Sequence, residues 1–107
     1  MTDLEISAAL ALAIGWKESN FHYANKPVAH SGLQIIYLDA ACLLHIQRVF
    51  DYRDPAVIWP IAERFDCFPW KSIKDDKEVW CAEGQFARFY ESCSKKAVAM
   101  AVIGGAG

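Results

Sequence analysis

Helical periodicity at both ends and near the middle of this chain brackets two runs of strand-type residues, and that alternation leaves few folds open. Ile6, Leu10, Ala13 and Ile14 recur at three- and four-residue spacing, the repeat of one helix face. Thr2 and Glu5 form a capping box at the start of this run: the threonine hydroxyl can accept from the Glu5 N–H while the glutamate reaches back to Thr2. Gly15 offers the left-handed residue that closes a helix, which is expected over residues 3 to 14. Asp54-Pro55 marks a second start, with Asp54 at the N-cap and Pro55 at the first helical position. Ile58, Ile61, Ala62 and Phe65 then share a face. Pro60 removes a hydrogen bond inside that run, so the spacing predicts a kinked helix over 55–65 or a short turn and a helix from Pro60. Ser94 can cap a third helix from Lys95 to Ile103, which Gly104-Gly105 would end.

Between these helices lie the strand signals. Leu33–Leu38 is β-rich and apolar, and Cys42–Phe50 follows after a short connection, which predicts two antiparallel strands. Val79–Ala82 and Phe86–Tyr90 flank Glu83-Gly84-Gln85, the composition of a hairpin. Residues 16–32 lose periodicity and read as a long loop with a short strand, and Lys71–Glu78 (KSIKDDKE) reads as a solvated loop. The expected fold is α+β, an α/β/α sandwich with a small, mainly antiparallel sheet of about four strands and three helices. One domain is expected over residues 1–103, with a mobile tail at 104–107.

At 107 residues the chain is the size of one domain. Hydrophobic residues make up 54% and charged residues 22%, far from the balance of a disordered chain. A formal charge of -2 and a pI near 5.8, with no basic stripe, argue against general nucleic-acid binding. No apolar run reaches the roughly 20 residues of a membrane span, and Asp3 and Glu5 stand where a signal peptide carries Lys or Arg. Cys42, Cys67, Cys81 and Cys93 lack CxxC pairing, so reduced and mostly buried thiols are expected.

Three segments bear a resemblance: Asp3–Ile6 running into Ala11–Trp16; Phe50-Asp51 leading to Asp54–Asp66 and Pro69; and Lys96–Ile103. Together they resemble the phage ABA sandwich domain, a family of small proteins of tailed phages and prophages. The block from Asp54 to Pro69 is the most specific part. The resemblance implies an α/β/α sandwich and a phage or prophage setting, hence the host bacterial cytoplasm, and it carries no catalytic residues. The chain departs from the family pattern at Ser19–Ile35 and in the Gln85–Tyr90 strand, where variation fits a surface that faces a partner.

No nucleotide, zinc-protease or serine-hydrolase motif occurs, and His22, His30 and His45 follow no metal-ligand spacing. No metal or cofactor is therefore expected. Asp51, Arg53 and Asp54 form the densest charged cluster, with Glu63 and Asp66 on the next element. A hydrolase using Asp51 or Asp54 with His45 is one alternative, although capping and ion pairing account for the same residues. A second is a small-ligand or nucleotide-binding module, with tryptophan stacking on a base and Arg48, Arg53 or Lys71 meeting phosphate. Aromatics are the remaining signal, since a small sheet cannot easily bury Trp16, Trp59, Trp70 and Trp80 together. The leading expectation is a non-enzymatic protein that binds a host or phage protein, one such job being antagonism of a bacterial defence system. Its contact surface is expected at Tyr52, Arg53, Trp59, Trp70, His22, Tyr23 and His30, with Tyr52 and Trp70 at the surface. Self-association as a homodimer is also expected, because the strand from Cys42 to Phe50 is apolar on both parities.

Overall fold

The computed structural model describes residues 2–23, 33–38, 40–84 and 87–106. Helix α1 (Asp3–Ala13) starts on the expected capping box: Glu5 N–H donates to Thr2 Oγ1 and Thr2 N–H to the Glu5 carboxylate, each at 3.1 Å. It ends at Ile14, with Gly15 at φ 109°. A single 3₁₀ turn at Glu18–Asn20 leads into β1 (Phe21–Tyr23), followed by β2 (Leu33–Leu38) and β3 (Leu44–Phe50). Antiparallel pairing in the order β1-β2-β3 builds the first sheet. Helix α2 (Pro55–Phe65) follows, with Asp54 accepting from the Ala56 N–H. Strands β4 (Trp70–Lys74), β5 (Lys77–Glu83) and β6 (Arg88–Glu91) form a second antiparallel sheet in sequence order, and α3 (Ser94–Ala106) closes the chain.

Helix α3 is the hub. Ala97, Val98, Ala99, Ala101 and Val102 are all buried, a stripe wider than half of the helix circumference, and α1, α2, β5 and β6 all pack on it. A helix with so broad an apolar stripe has to be covered on more than one side, so the remaining elements assemble about this one. Leu33 and Ile35 of β2 join Ile6, Leu10 and Ala11 of α1 and Val57, Ile58, Ile61 and Ala62 of α2 in the same core. The first sheet reaches the helices mainly where β2 meets α1. Correspondingly, the radius of gyration is 14.8 Å, against about 13 Å for a compact chain of this length.

Two glycines let the second sheet approach α3. A Cβ at Gly84 would stand 2.5 Å from the Ala101 carbonyl oxygen, and one at Gly104 would stand 2.5 Å from Cζ of Phe89. Gly104 and Gly105 were expected to stop the helix, with residues after Ile103 as a tail. Instead α3 continues through both to Ala106, because the missing side chain makes room for the Phe89 ring.

The α+β class and the three helices match the sequence reading, while the described residues hold six strands in two sheets where about four were expected. One of the two additional strands is β1, the short strand within the long loop, and the other comes from Lys71–Glu78, which is a hairpin and not a solvated loop. Lys74 pairs with Lys77, and Asp75 and Asp76 take φ 53° and 61°, the left-handed pair that a two-residue turn demands and that aspartate tolerates. Helix α2 runs unbroken through Pro60. The carbonyl that Pro60 cannot satisfy belongs to Ala56, and both residues lie on the exposed side, where water can serve it. The third helix begins one residue early, with Ala97 N–H donating to the Cys93 carbonyl at 3.0 Å, so Cys93 holds the position assigned to Ser94. Cys67 and Cys81 are buried as expected, but Cys42 and Cys93 are exposed. The Gln85-Phe86 portion of the expected hairpin lies outside the described residues.

Gly84→Ala should lower stability by about 1–3 kcal/mol, since its new Cβ meets backbone that cannot turn aside. Gly104→Ala should cost less, because the ring it meets can shift and alanine is the better helix former by about 1 kcal/mol. Phe89→Leu should relieve the second variant and leave the first unchanged. Urea midpoints of the single and double variants measure both effects.

Candidate functional site

The charged cluster at residues 51–54 becomes a clamp between the β3–α2 connection and the start of α1. Arg53 Nη2 meets Asp51 Oδ2 at 2.8 Å and its Nε meets Asp51 Oδ1 at 3.0 Å, while Nη1 reaches Asp3 Oδ2 at 3.1 Å. Tyr52 is 3% exposed and donates its hydroxyl to the other Asp3 oxygen, and its N–H donates to the buried Ser7 Oγ at 3.1 Å. Asp3 lies in the first turn of α1, where the helix dipole favours a carboxylate. The Arg53 guanidinium hydrogen-bonded to Asp51 holds that carboxyl below its ordinary value. For Tyr52, burial and then the Asp3 bond push the phenol pKa up, so it stays protonated as a donor.

This arrangement corrects the expectation that Tyr52 lies at the surface to meet a partner: its ring is core. Arg53 is exposed but engaged with two carboxylates. Trp59 is half-buried against the core, His22 is exposed on β1 opposite Gln34, and Trp70 is exposed on β4. Tyr23 pairs with Leu33 through the backbone. His30, with most of the Ser19–Gly32 loop, lies outside the described residues. Of the expected positions whose side chains are described, Tyr52 is buried and Trp59 half-buried, so they do not form one exposed surface.

The hydrolase constellation is not assembled either. His45 stacks on Tyr37 across the β2–β3 pair, with ring centroids 5.0 Å apart and planes 11° apart, and Tyr37 in turn meets Trp16 at 4.8 Å. From there to Asp51 is six residues of extended chain, roughly 20 Å. Asp54 is engaged in capping α2. Of the cations offered for phosphate, Lys71 lies 5.6 Å from the Trp80 ring centroid and Arg53 belongs to the clamp. Among the described residues no group of three or more His, Cys, Asp or Glu side chains is placed to hold a metal ion. Among the described residues no helix is long and apolar enough to cross a membrane.

What the structure exposes instead is apolar side chains, among them Ile73 on β4 and two groups close together in the chain. Phe68 is 53% and Trp70 41% exposed, just beyond the end of α2 and beside the partly exposed Phe65. Leu38, Leu43 and Leu44 are 64%, 62% and 61% exposed where β2 gives way to β3. Phe65 was expected on the buried face of α2, but that face ends with Ala62, and Asp66 at φ 53° turns the chain away. A readable signal for the first surface existed: Phe65, Phe68 and Trp70 follow one another after the last helical repeat, with Pro69 among them, so helical periodicity no longer buries them.

Neither a scan against protein-family models nor searches of curated proteins and of solved structures returned a match for this chain.

The clamp has a pH signature. A carboxyl depressed in the folded state contributes stability above its unfolded pKa, near 3.8 for Asp51, and that contribution is lost as the pH falls through the lower folded value. Asp51→Asn should thus reduce stability at pH 7 and flatten the loss of stability below about pH 4, followed as thermal midpoint against pH. Tyr52→Ala should cost about 3–5 kcal/mol as a buried aromatic truncation, an effect that chemical denaturation will register.

Proposed function

We propose that this chain is a phage or prophage accessory protein that acts by binding a host or phage protein through the surface around Phe68 and Trp70, with no chemistry of its own. The observation that carries this reading is the exposure of two large aromatic rings two residues apart, Phe68 at 53% on the short connection after α2 and Trp70 at 41% at the start of β4. Aromatic side chains supply much of the binding energy in protein interfaces, and a rigid scaffold beneath them limits the entropy lost on docking. Here β4 is anchored by its pairing with β5, which lies on α3. The resemblance of the Asp54–Pro69 block to the phage ABA sandwich family supports the setting, and with it the bacterial cytoplasm. Antagonism of a host defence system is the task that this setting favours.

Self-association is a second reading, favoured by Leu38, Leu43 and Leu44 rather than by the aromatics. Their exposure places an apolar patch at the outer end of the first sheet, the kind of surface that a second copy covers in a homodimer.

Both readings are open to direct test. Tagged protein expressed during infection should retain a stoichiometric protein partner, and Phe68→Ser with Trp70→Thr should release it. Phe68→Ser alone should change stability by no more than about 0.5 kcal/mol, as expected for an exposed position. Retention of the same partner by the double variant overturns the aromatic surface. Light scattering after gel filtration tests the leucine patch: Leu38→Ser with Leu44→Ser should convert a dimer to a monomer, and a monomeric parent dismisses that reading.

A further inference from the structure

Strand β4 is one edge of the second sheet and pairs with β5 along one side only. The register runs unbroken from Trp70 opposite Cys81 to Lys74 opposite Lys77. The two-residue turn at Asp75-Asp76 makes Lys74 and Lys77 a hydrogen-bonded pair, and such pairs alternate along an antiparallel ladder. The N–H and C=O groups of Lys71 and Ile73 therefore point away from β5, along the open edge. A row of this kind is a template for a further strand, and proteins guard it with bulges, proline or the charge of lysine side chains. Neither a bulge nor a proline interrupts β4. Its two lysines fold back over the sheet, one on each face: Lys71 Nζ lies 5.6 Å from the Trp80 ring centroid and Lys74 Nζ 4.4 Å from that of Tyr90. The backbone edge is thus left open.

Strand alternation sets Trp70, Ser72 and Lys74 on one face and Lys71 and Ile73 on the other. Trp70 is 41% and Ile73 72% exposed, so each face of the edge presents an uncovered apolar side chain and a lysine. Among the described residues neither Lys71 nor Lys74 is paired with a carboxylate. The opposite edge of the same sheet is different. Strand β6 is shorter, and both its ends are engaged, Arg88 with Glu83 at 3.8 Å and Glu91 with Lys96 at 3.7 Å.

We propose that the β4 edge takes up an extended acidic segment of a partner protein as an added antiparallel strand. Apolar residues of that segment lie opposite Trp70 and Ile73, and its carboxylates lie opposite Lys71 and Lys74. Opposite charges on neighbouring strands attract, and an ammonium leaves an exposed ring for a carboxylate at little cost. A second copy suits the edge less well, because it would bring Lys71 and Lys74 of both chains into one seam. The inference rests on the protein-binding reading and supplies the chemistry and pose of the segment that docks beside Phe68 and Trp70.

The capped peptide Glu-Val-Thr-Glu-Val, whose antiparallel alignment sets its glutamates against Lys74 and Lys71, is the probe, titrated into the ¹⁵N-labelled full chain. The expected result is saturable movement of the Lys71 and Ile73 amide signals, with Lys-Val-Thr-Lys-Val binding at least about fivefold more weakly. Ile73→Pro removes an outward N–H and no bond to β5, so it should abolish peptide binding in a folded protein. Lys71→Glu with Lys74→Glu should reverse the preference between the two peptides. Equal binding of both peptides, no saturable response at millimolar peptide, or a preference unchanged by the charge reversal would each overturn the proposal. So would a dimer that Ile73→Pro dissolves, since a second copy then occupies the edge. A partner captured by the parent and kept by Ile73→Pro overturns the edge alone, whereas a responding peptide with no captured partner marks failure of the protein-binding reading.

Discussion

The structure depends on enclosing α3. Its central residues are small enough that neighbouring backbones can come close, and apolar enough that more than half of its circumference is buried. Dispersion grows with the number of close atom pairs, so an alanine- and glycine-rich helix gains through proximity what it lacks in side-chain size. Glycine on the facing sheet completes the logic at position 84, where sheet backbone meets helix backbone directly. Helices α1 and α2 then have a fixed surface to cover, and their own buried stripes follow from it.

A second constraint acts at the corner after β3. The chain must turn from a strand into α2 while the N-terminus of α1 lies alongside, and both places carry polar backbone. Asp3, Asp51 and Arg53 satisfy one another there, Ser7 accepts the Tyr52 N–H, and no buried side-chain nitrogen or oxygen among the described residues is left without a partner. A cluster of charge that looks like chemistry in one dimension is thereby a joint in three. The aromatic hydroxyl within it belongs to a residue whose ring is core, and sequence position alone does not distinguish that residue from a surface tyrosine.

Local rules were readable from sequence wherever a residue type has one dominant use. Thr2 with Glu5, and Asp54 with Pro55, announce helix starts because few other roles suit those pairs at that spacing. The rules failed where tertiary packing chose among uses. Gly104 is a helix stop by local preference, yet Phe89 makes it a packing position. Asp75-Asp76 has the composition of solvated charge, and strand pairing makes it a turn. Trp70 was legible as an exposed aromatic and Phe68 beside it followed the last helical repeat, but the exposure of Phe65 was not legible, because it depends on where the buried face of α2 ends and on the left-handed Asp66 that turns the chain.

The unequal attachment of the two sheets sets a hierarchy of motion. Where β5 and β6 lie on α3 through contacts that admit no extra atom, the sheet cannot separate from the helix by degrees, and its amides will be protected from hydrogen exchange together with those of α3. The first sheet is held largely through one strand against α1, so it can open while the rest remains closed. Slow exchange will mark the second sheet and the enclosed helix as one cooperative unit, and faster exchange will mark the other sheet as the part of the molecule free to rearrange.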